Sequence, residues 1–372
     1  MPPRRLPSSS PPWSASTELV GVELSLSPLR DCRLYPEYAI GLHAWFLDQV
    51  RQNNPELSAF LHDDPAKPFT LSRLVGLPFA HTLTALAHET YYWTITALNQ
   101  PVCQWLAEWW LNRPAQLELR GAAMQIVDAK VIYPPTTYVD LLNNSISSTA
   151  LSFCSPTSFR HRGHHLPLPL PKTLFQSYLR RWNDFSGEVV DSEDFLDWID
   201  EFVVIARHQI ESLKVTAGKR GSVTGFVGSV EFHLLPLGQR ETEYAELFGA
   251  LVQLAPYCGT GHKTTFGLGQ TRVGWLTAAP DPIPPIERLA AQRITELTEL
   301  FLALKKRQGG HRAINSAETW ATILARRELG ESLKVIAVDL GIPYETVKTY
   351  LKLARKALND TQAEDGKMIH KD

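Results

Sequence analysis

Twice along this chain the hydrophobic pattern switches between a period of two and a period of 3.6 in one order: strand, helix, strand, strand, helix, strand. That order restricts the fold more than any other feature. Residues 19–27 (LVGVELSLS) alternate, with Val20, Val22 and Leu24 on one face and Glu23 and Ser25 on the other. Ile40, Ala44, Leu47 and Val50 recur at helical spacing and predict a helix over 38–52, after which Asn54-Pro55 opens a short helix at 56–61. Strands are expected at 67–71 and 92–98, a helix at 102–111, and strand material at 117–131. The second pass expects a short strand at 150–153, an amphipathic helix at 172–185, paired strands at 203–214 and 222–235, a helix at 241–254 and a closing strand at 265–276. The expected class is α+β, with two tandem ferredoxin-like domains at 18–131 and 132–276.

Residues 277–287 (TAAPDPIPPIE) hold four prolines in eleven positions, which stiffens the chain and reads as a linker on whose two sides the protein should fold independently. A helical segment is expected at 288–358, with 1–17 read as a flexible, disordered tail and 359–372 as a tail without periodicity. Lys plus Arg number 37 against 39 Asp plus Glu, a net charge of -2, so no bulk basicity advertises a nucleic-acid binder and any such function rests on local patches. The four cysteines lie 71, 51 and 104 residues apart, which excludes CxxC spacing and suits a reducing cytoplasm. No stretch reaches the ~18 apolar residues of a membrane helix, and no membrane partner is expected.

Residues 259–269 (GTGHKTTFGLG) carry four glycines in eleven positions. Glycine lets backbone amides approach phosphates and takes positive φ, although a tight helix-to-strand loop would use it equally. A nucleotide-binding P-loop is excluded, because His262 rather than glycine precedes Lys263 and a strand rather than a helix follows. Two acid-free stretches stand out. Residues 141–183 contain no Asp or Glu but hold Arg160, Arg162, Lys172, Arg180 and Arg181; residues 247–280 again lack acids and hold Lys263 and Arg272. Such surfaces meet phosphate, the main sequence-independent source of affinity for nucleic acid. His161, His164 and His165 sit beside arginines in a proline-rich loop that offers no ordered metal geometry.

The run GTGHKTTFGLGQTRVGW resembles the C-terminal glycine-rich signature of the CRISPR-associated repeat-RNA endoribonucleases, the "Cas six" family of the RAMP superfamily. SPTSFR (155–160), PLPLP followed by RWNDFSG (181–187), GFVGSVEFHL (225–234) and LHDDPAKPFTLS (61–72) add to the likeness over about residues 19–275. The resemblance implies tandem ferredoxin-like domains with a cleft between them. It also implies cleavage of CRISPR precursor RNA without a metal or other cofactor. On it, RNA contacts are expected from the basic residues above together with Gly259, Gly261, His262, Gly267 and Gly269.

Such cleavage needs one group to take the proton of the 2'-hydroxyl beside the scissile phosphate, another to protonate the departing 5'-oxygen, and a cation for the charge that develops. Histidine titrates closest to neutrality and suits both proton transfers. The resemblance assigns His62 of the LH pair as catalytic and Lys67 ahead of the FT-x-S strand as its cation; the family's first-helix tyrosine falls here on Leu47. His43, one helical turn before Leu47, is a candidate for the second proton transfer, with Tyr35 and Tyr38 as alternatives close in sequence. Both histidines have other readings: His62 as the C-terminal cap of its helix, His43 as a satisfied core residue.

Residues 330–358 resemble a helix-turn-helix of the sigma-factor or response-regulator kind, with Ala337 in the packing position, Gly341 at the turn and Val347 beyond it. Its second helix would expose Tyr344, Glu345, Lys348, Thr349 and Lys352 toward DNA, and residues 326–358 carry a balance of +3. The expected partners are therefore CRISPR repeat RNA, other CRISPR effector subunits, and DNA through the C-terminal helices. Two rivals stand beside the nuclease: a helix-turn-helix transcription regulator with a ligand-sensing N-terminal region, and a repeat-RNA carrier in an effector complex that does not cut.

Overall fold

The computed structural model describes residues 12–77, 82–143, 146–162, 164–216, 218–277, 283–304 and 311–368. The first pass of the pattern yields β1 (Leu19–Pro28), β2 (Cys32–Leu34), α1 (Tyr38–Asn53), α2 (Pro55–Asp63), β3 (Phe69–Leu71), β4 (Leu83–Ala85), β5 (Tyr91–Ala97), α3 (Gln100–Asn112), β6 (Gln116–Leu119) and β7 (Ala122–Thr136). β2 and β4 form a separate ribbon; the main sheet runs β3-β5-β1-β7-β6. β1 lies between its partners, with Leu24 opposite Trp93 on β5 and Ala129 on β7. Its even-numbered residues Val20, Val22, Leu24 and Leu26 are fully buried against the helices. Each such side chain contributes roughly 1.5–3 kcal/mol of burial.

The second pass gives α4 (Tyr138–Leu141), β8 (Ser148–Thr157), the hairpin β9 (Phe159–His161) and β10 (His164–Leu166), α5 (Pro171–Phe185), α6 (Ser192–Phe202), β11 (Val203–Thr216), β12 (Ser222–Leu234), α7 (Thr242–Cys258) and β13 (Thr271–Val273). The sheet order β11-β12-β8-β13 is, like the first sheet without its outer β6, the fourth-first-third-second order of a ferredoxin-like domain. Phe153, Phe226 and Phe232 of the sheet pack on Phe175 and Phe248 of the helices.

Three details differ from the sequence expectation. The closing strand spans 271–273 rather than 265–276, because Thr264–Phe266 forms a 3-10 turn and Gly267 and Gly269 take positive φ, which no extended strand accommodates. The helix α6 adds an element the alternation did not suggest: Asp191 caps it through the amides of Glu193 and Asp194. It then passes directly into β11 at Val203.

The largest difference concerns the C-terminal helices α8 (Pro285–Ala303), α9 (His311–Glu328), α10 (Leu333–Leu340) and α11 (Tyr344–Met368). Independent folding across the prolines was expected. Instead, α8 begins inside the proline run and buries Glu287 completely against Arg73 of the first domain. A second buried network joins Arg326 to Glu331 at 2.5 Å and to Asp339 at 2.6 Å, and Arg120 of the β6–β7 turn reaches both acids. Burial raises the carboxyl of nearby Glu37, which stands at the N-terminus of α1. The loop between β11 and β12 is tied to the same helices: the Gly221 amide donates to Thr322 Oγ1 at 3.1 Å, Arg220 donates to Thr319 at 3.2 Å, and Ser222 bonds Thr295 at 2.7 Å. The helices also have their own core, in which Ile294, Leu324, Ile336, Val347 and Leu351 meet. Proline removed backbone donors from the linker, but it did not prevent side chains beyond it from docking.

Candidate RNA-processing site

α2 starts at Asn54, whose side chain accepts from the Leu57 amide at 2.9 Å, and continues to Asp63, two residues past the expected end. The free carbonyls that any helix leaves at its C-terminus are taken here by Lys67. Its Nζ donates to the carbonyls of Leu61 at 2.6 Å and His62 at 2.9 Å, and to that of Asp64. Lys67 is therefore the group that caps α2, and it fixes where His62 leaves the helix. Burial lowers its ammonium below the usual lysine range, against the opposing charges of Asp64 and Asp63. The His62 side chain projects into solvent, 81% exposed, with Nδ1 3.0 Å from Asp63 Oδ1. Donation from Nδ1–H to that carboxylate leaves Nε2 facing outward, able to take up or deliver a proton.

His43 lies differently. It is half-buried on α1, its Nδ1 meets the Thr265 carbonyl at 3.1 Å, and its ring stacks on Phe266 with centroids 4.3 Å apart. Burial brings it down to about 4, and the charges of Lys67 and Lys219 press the same way. At neutral pH this imidazole is uncharged, and it joins α1 to the glycine-rich loop.

Several amides of that loop are taken by the protein itself. Thr260 donates to Gly269 O at 2.7 Å, Gly261 to Ser177 Oγ at 3.0 Å, His262 to Ser158 O at 3.2 Å and Gly269 to Pro156 O at 3.1 Å. A Cβ on Gly261 would overlap the Ser158 carbonyl oxygen, and one on Gly269 that of Thr260; both residues have positive φ. Close backbone packing thus accounts for glycine at these positions, where the sequence pointed to phosphate contact.

A cavity of about 480 Å³ opens between β9, α5 and this loop, lined by Arg160, Gln176, Arg180, Asn183, Asp184 and His262 among others. His262 stacks on His165 of β10 with centroids 5.2 Å apart, and burial brings each ring to about 4. Lys263, in a left-handed conformation at φ 60°, is brought to about 8 by burial, with Arg160 adding to the effect. The carboxyl of Asp184 is raised mainly by burial, against the charges of Arg181 and Arg180.

The remaining expected contacts scatter. Arg162 is exposed at the β9–β10 turn. Lys172 is held at 2.6 Å by Asp197 of α6, and Arg181 is buried beside Asp184, so neither side chain joins the cavity. Arg272 sits on β13 opposite Ser152, on the helix-free face beside Tyr133. His161 and His164 pair across their hairpin and stay exposed. Among the described residues no three His, Cys, Asp or Glu gather as metal ligands, and no helix is long and apolar enough to cross a membrane. The sequence reading missed the Asp63 partner of His62 and the His165–His262 stack; adjacency to His62 signalled the first, but only the fold brings the second pair together.

Residues 151–271 match the family model described as CRISPR-associated endoribonuclease Cas6. A CRISPR-associated endoribonuclease Cas6 from Streptococcus thermophilus is 21% identical over 244 residues, 63% of this chain and 90% of that protein. Two solved Cas6 product complexes are 26% and 25% identical, with TM-scores of 0.55 and 0.58; each covers 69% of this chain, and 99% and 100% of their own. With two ferredoxin-like domains and a glycine-rich loop locked between them, the chain is similar in fold and sequence to the CRISPR-associated endoribonucleases called Cas6.

Proposed function

We propose that this endoribonuclease binds CRISPR precursor RNA and cuts it within the repeats, the 2'-hydroxyl beside the scissile phosphate acting as nucleophile and leaving a 2',3'-cyclic phosphate. The observation that carries the reading is the His62 imidazole, held outward at the capped end of α2 with Asp63 on Nδ1. Nε2 then moves the proton, and Asp63 on Nδ1 orients the ring. Lys67 spends its hydrogen bonds on three carbonyls, so it acts as a positioning residue whose charge stands near the reacting phosphate. Arg160 and Arg180, in the cavity beside α5, and exposed Arg162 supply the contacts to the RNA backbone. His43 supports the site by holding α1 to the loop.

The test uses labelled repeat RNA, purified protein and excess chelator. The wild type should cut at one position in the repeat, and His62→Ala should be slower by roughly 100-fold, the loss expected of a proton-transfer group. Binding without cutting would favour a repeat-RNA carrier in an effector complex; duplex DNA binding without RNA turnover would favour a regulator.

A further inference from the structure

The C-terminal helices carry a stripe of exposed cations whose position on the rest of the protein bears on what it serves. Ser332 caps α10 by accepting from the Val335 amide, α10 ends at Gly341 with φ 66°, and α11 follows, so the turn between them is that of a helix-turn-helix. Val347, Leu351 and Ala354 bury one face of α11 in the helical core. Lys348, Lys352, Arg355 and Lys356 are all exposed on the rest of its surface. At a rise of 1.5 Å per residue these four cations extend over about 12 Å, the separation of two to three phosphates along a strand.

Two observations connect this stripe to the processing site. The helices do not hang from a tether: Arg73–Glu287 and the Arg120–Glu331–Asp339–Arg326 network hold them on the first domain through buried charges. The turn before α11 also adjoins the loop that faces the site. A Cβ on Gly341 would stand 3.8 Å from Lys219 Nζ, and the charge of the same lysine helps to lower the pKa of His43. In that loop Gly218 packs against the Lys263 side chain of the glycine-rich run. Lys219 thus stands between the glycine-rich run and the turn that opens α11, on one docked body.

We propose that α11 is an RNA-binding arm of the nuclease, contacting the phosphate backbone of the transcript outside the segment held at the glycine-rich loop. The proposal rests on the nuclease reading above. RNA is favoured over an independent DNA target because the helices that carry the stripe are fixed to the first domain, and because Glu345, 3.7 Å from Lys348, places an acid among the N-terminal residues that a recognition helix directs at bases. Phosphate contact needs charge alone, which the other cations provide.

The experiment measures anisotropy of a labelled repeat with spacer flanks on both sides, titrated with full-length protein at several KCl concentrations. Lys348→Glu with Lys352→Glu and Lys356→Glu should weaken binding by at least 10-fold and flatten the salt slope by about two to three. The same positions changed to Gln should show the same trend to a smaller extent, and circular dichroism should confirm the helices in each variant. Wild-type affinity and slope in both variants, with the fold intact, would overturn the proposal. So would wild-type protein binding a duplex DNA of equal length more tightly than the RNA, with that preference lost in the variants. Cleavage by the wild type is scored on the same RNA: failure to cut counts against the nuclease reading, whereas cutting with unaltered binding by the variants counts against the arm.

Discussion

His43 and Phe266 lie ring on ring, 4.3 Å between centroids, joining the first helix of one ferredoxin-like domain to the glycine-rich loop of the other. The contact explains why a histidine that looks catalytic by spacing is half-buried and uncharged. It also has a consequence for pH.

His43, His165 and His262 are each held at about 4 by burial, below the ordinary 6.5. The unfolded chain binds more protons than the folded one between these values, so stability is fully present above about pH 6.5 and falls as pH drops toward 4. Thermal melts should show Tm declining across that window, with a smaller decline in His43→Gln. A flat wild-type Tm from pH 7 to 4.5 would contradict the neutral assignment.

Lys67 organises the end of α2, so its effect on cleavage should pass through His62. Lys67→Ala should slow single-turnover cleavage at least 10-fold, and Lys67→Arg should recover part of it, since a guanidinium can still donate to the Leu61 and His62 carbonyls. Equal rates in Lys67→Ala and wild type would remove it from the site.

Glycine replacements should separate packing from φ. Gly269→Val and Gly261→Val place a side chain onto a backbone carbonyl, and urea unfolding should show a loss of more than about 2 kcal/mol or no folded protein at all. Gly274→Ala shares a positive φ, 103°, but meets open space, and should cost only about 1 kcal/mol. Equal effects at the three positions would mean that backbone conformation alone selects glycine.

The order of elements was legible because each domain writes period two and period 3.6 into its own segments, as in Val20, Val22 and Leu24 of β1. His62 and Lys67 were legible because both lie on one short segment whose local geometry sets their meeting. The docking of α8–α11 was not. It depends on Arg73 meeting Glu287 and on Arg120 meeting Glu331, pairs separated by more than two hundred residues, and proline spacing carries no information about partners so distant. The partners of the glycine-rich loop are hidden in the sequence for a related reason: Ser158 and Ser177, which take its amides, are remote from it along the chain.

That docking predicts a stability cost. Glu287→Ala leaves Arg73 buried without its partner and should destabilise by roughly 3–5 kcal/mol. Truncation after Trp275 removes the partners of Arg73 and Arg120 together, and the product should melt well below the full chain. An unchanged Tm in both would restore the picture of an independent appendage.

The most direct test of the chemistry replaces one ribonucleotide, the one just upstream of the cut, by its 2'-deoxy form and measures binding and cleavage of the repeat in chelator. Attack by the 2'-hydroxyl predicts tight binding with no cleavage at that position, while the unmodified repeat yields a 2',3'-cyclic phosphate and a 5'-hydroxyl. Cleavage of the deoxy substrate at the normal rate, or products ending in a 3'-hydroxyl and a 5'-phosphate, would contradict the mechanism built on His62.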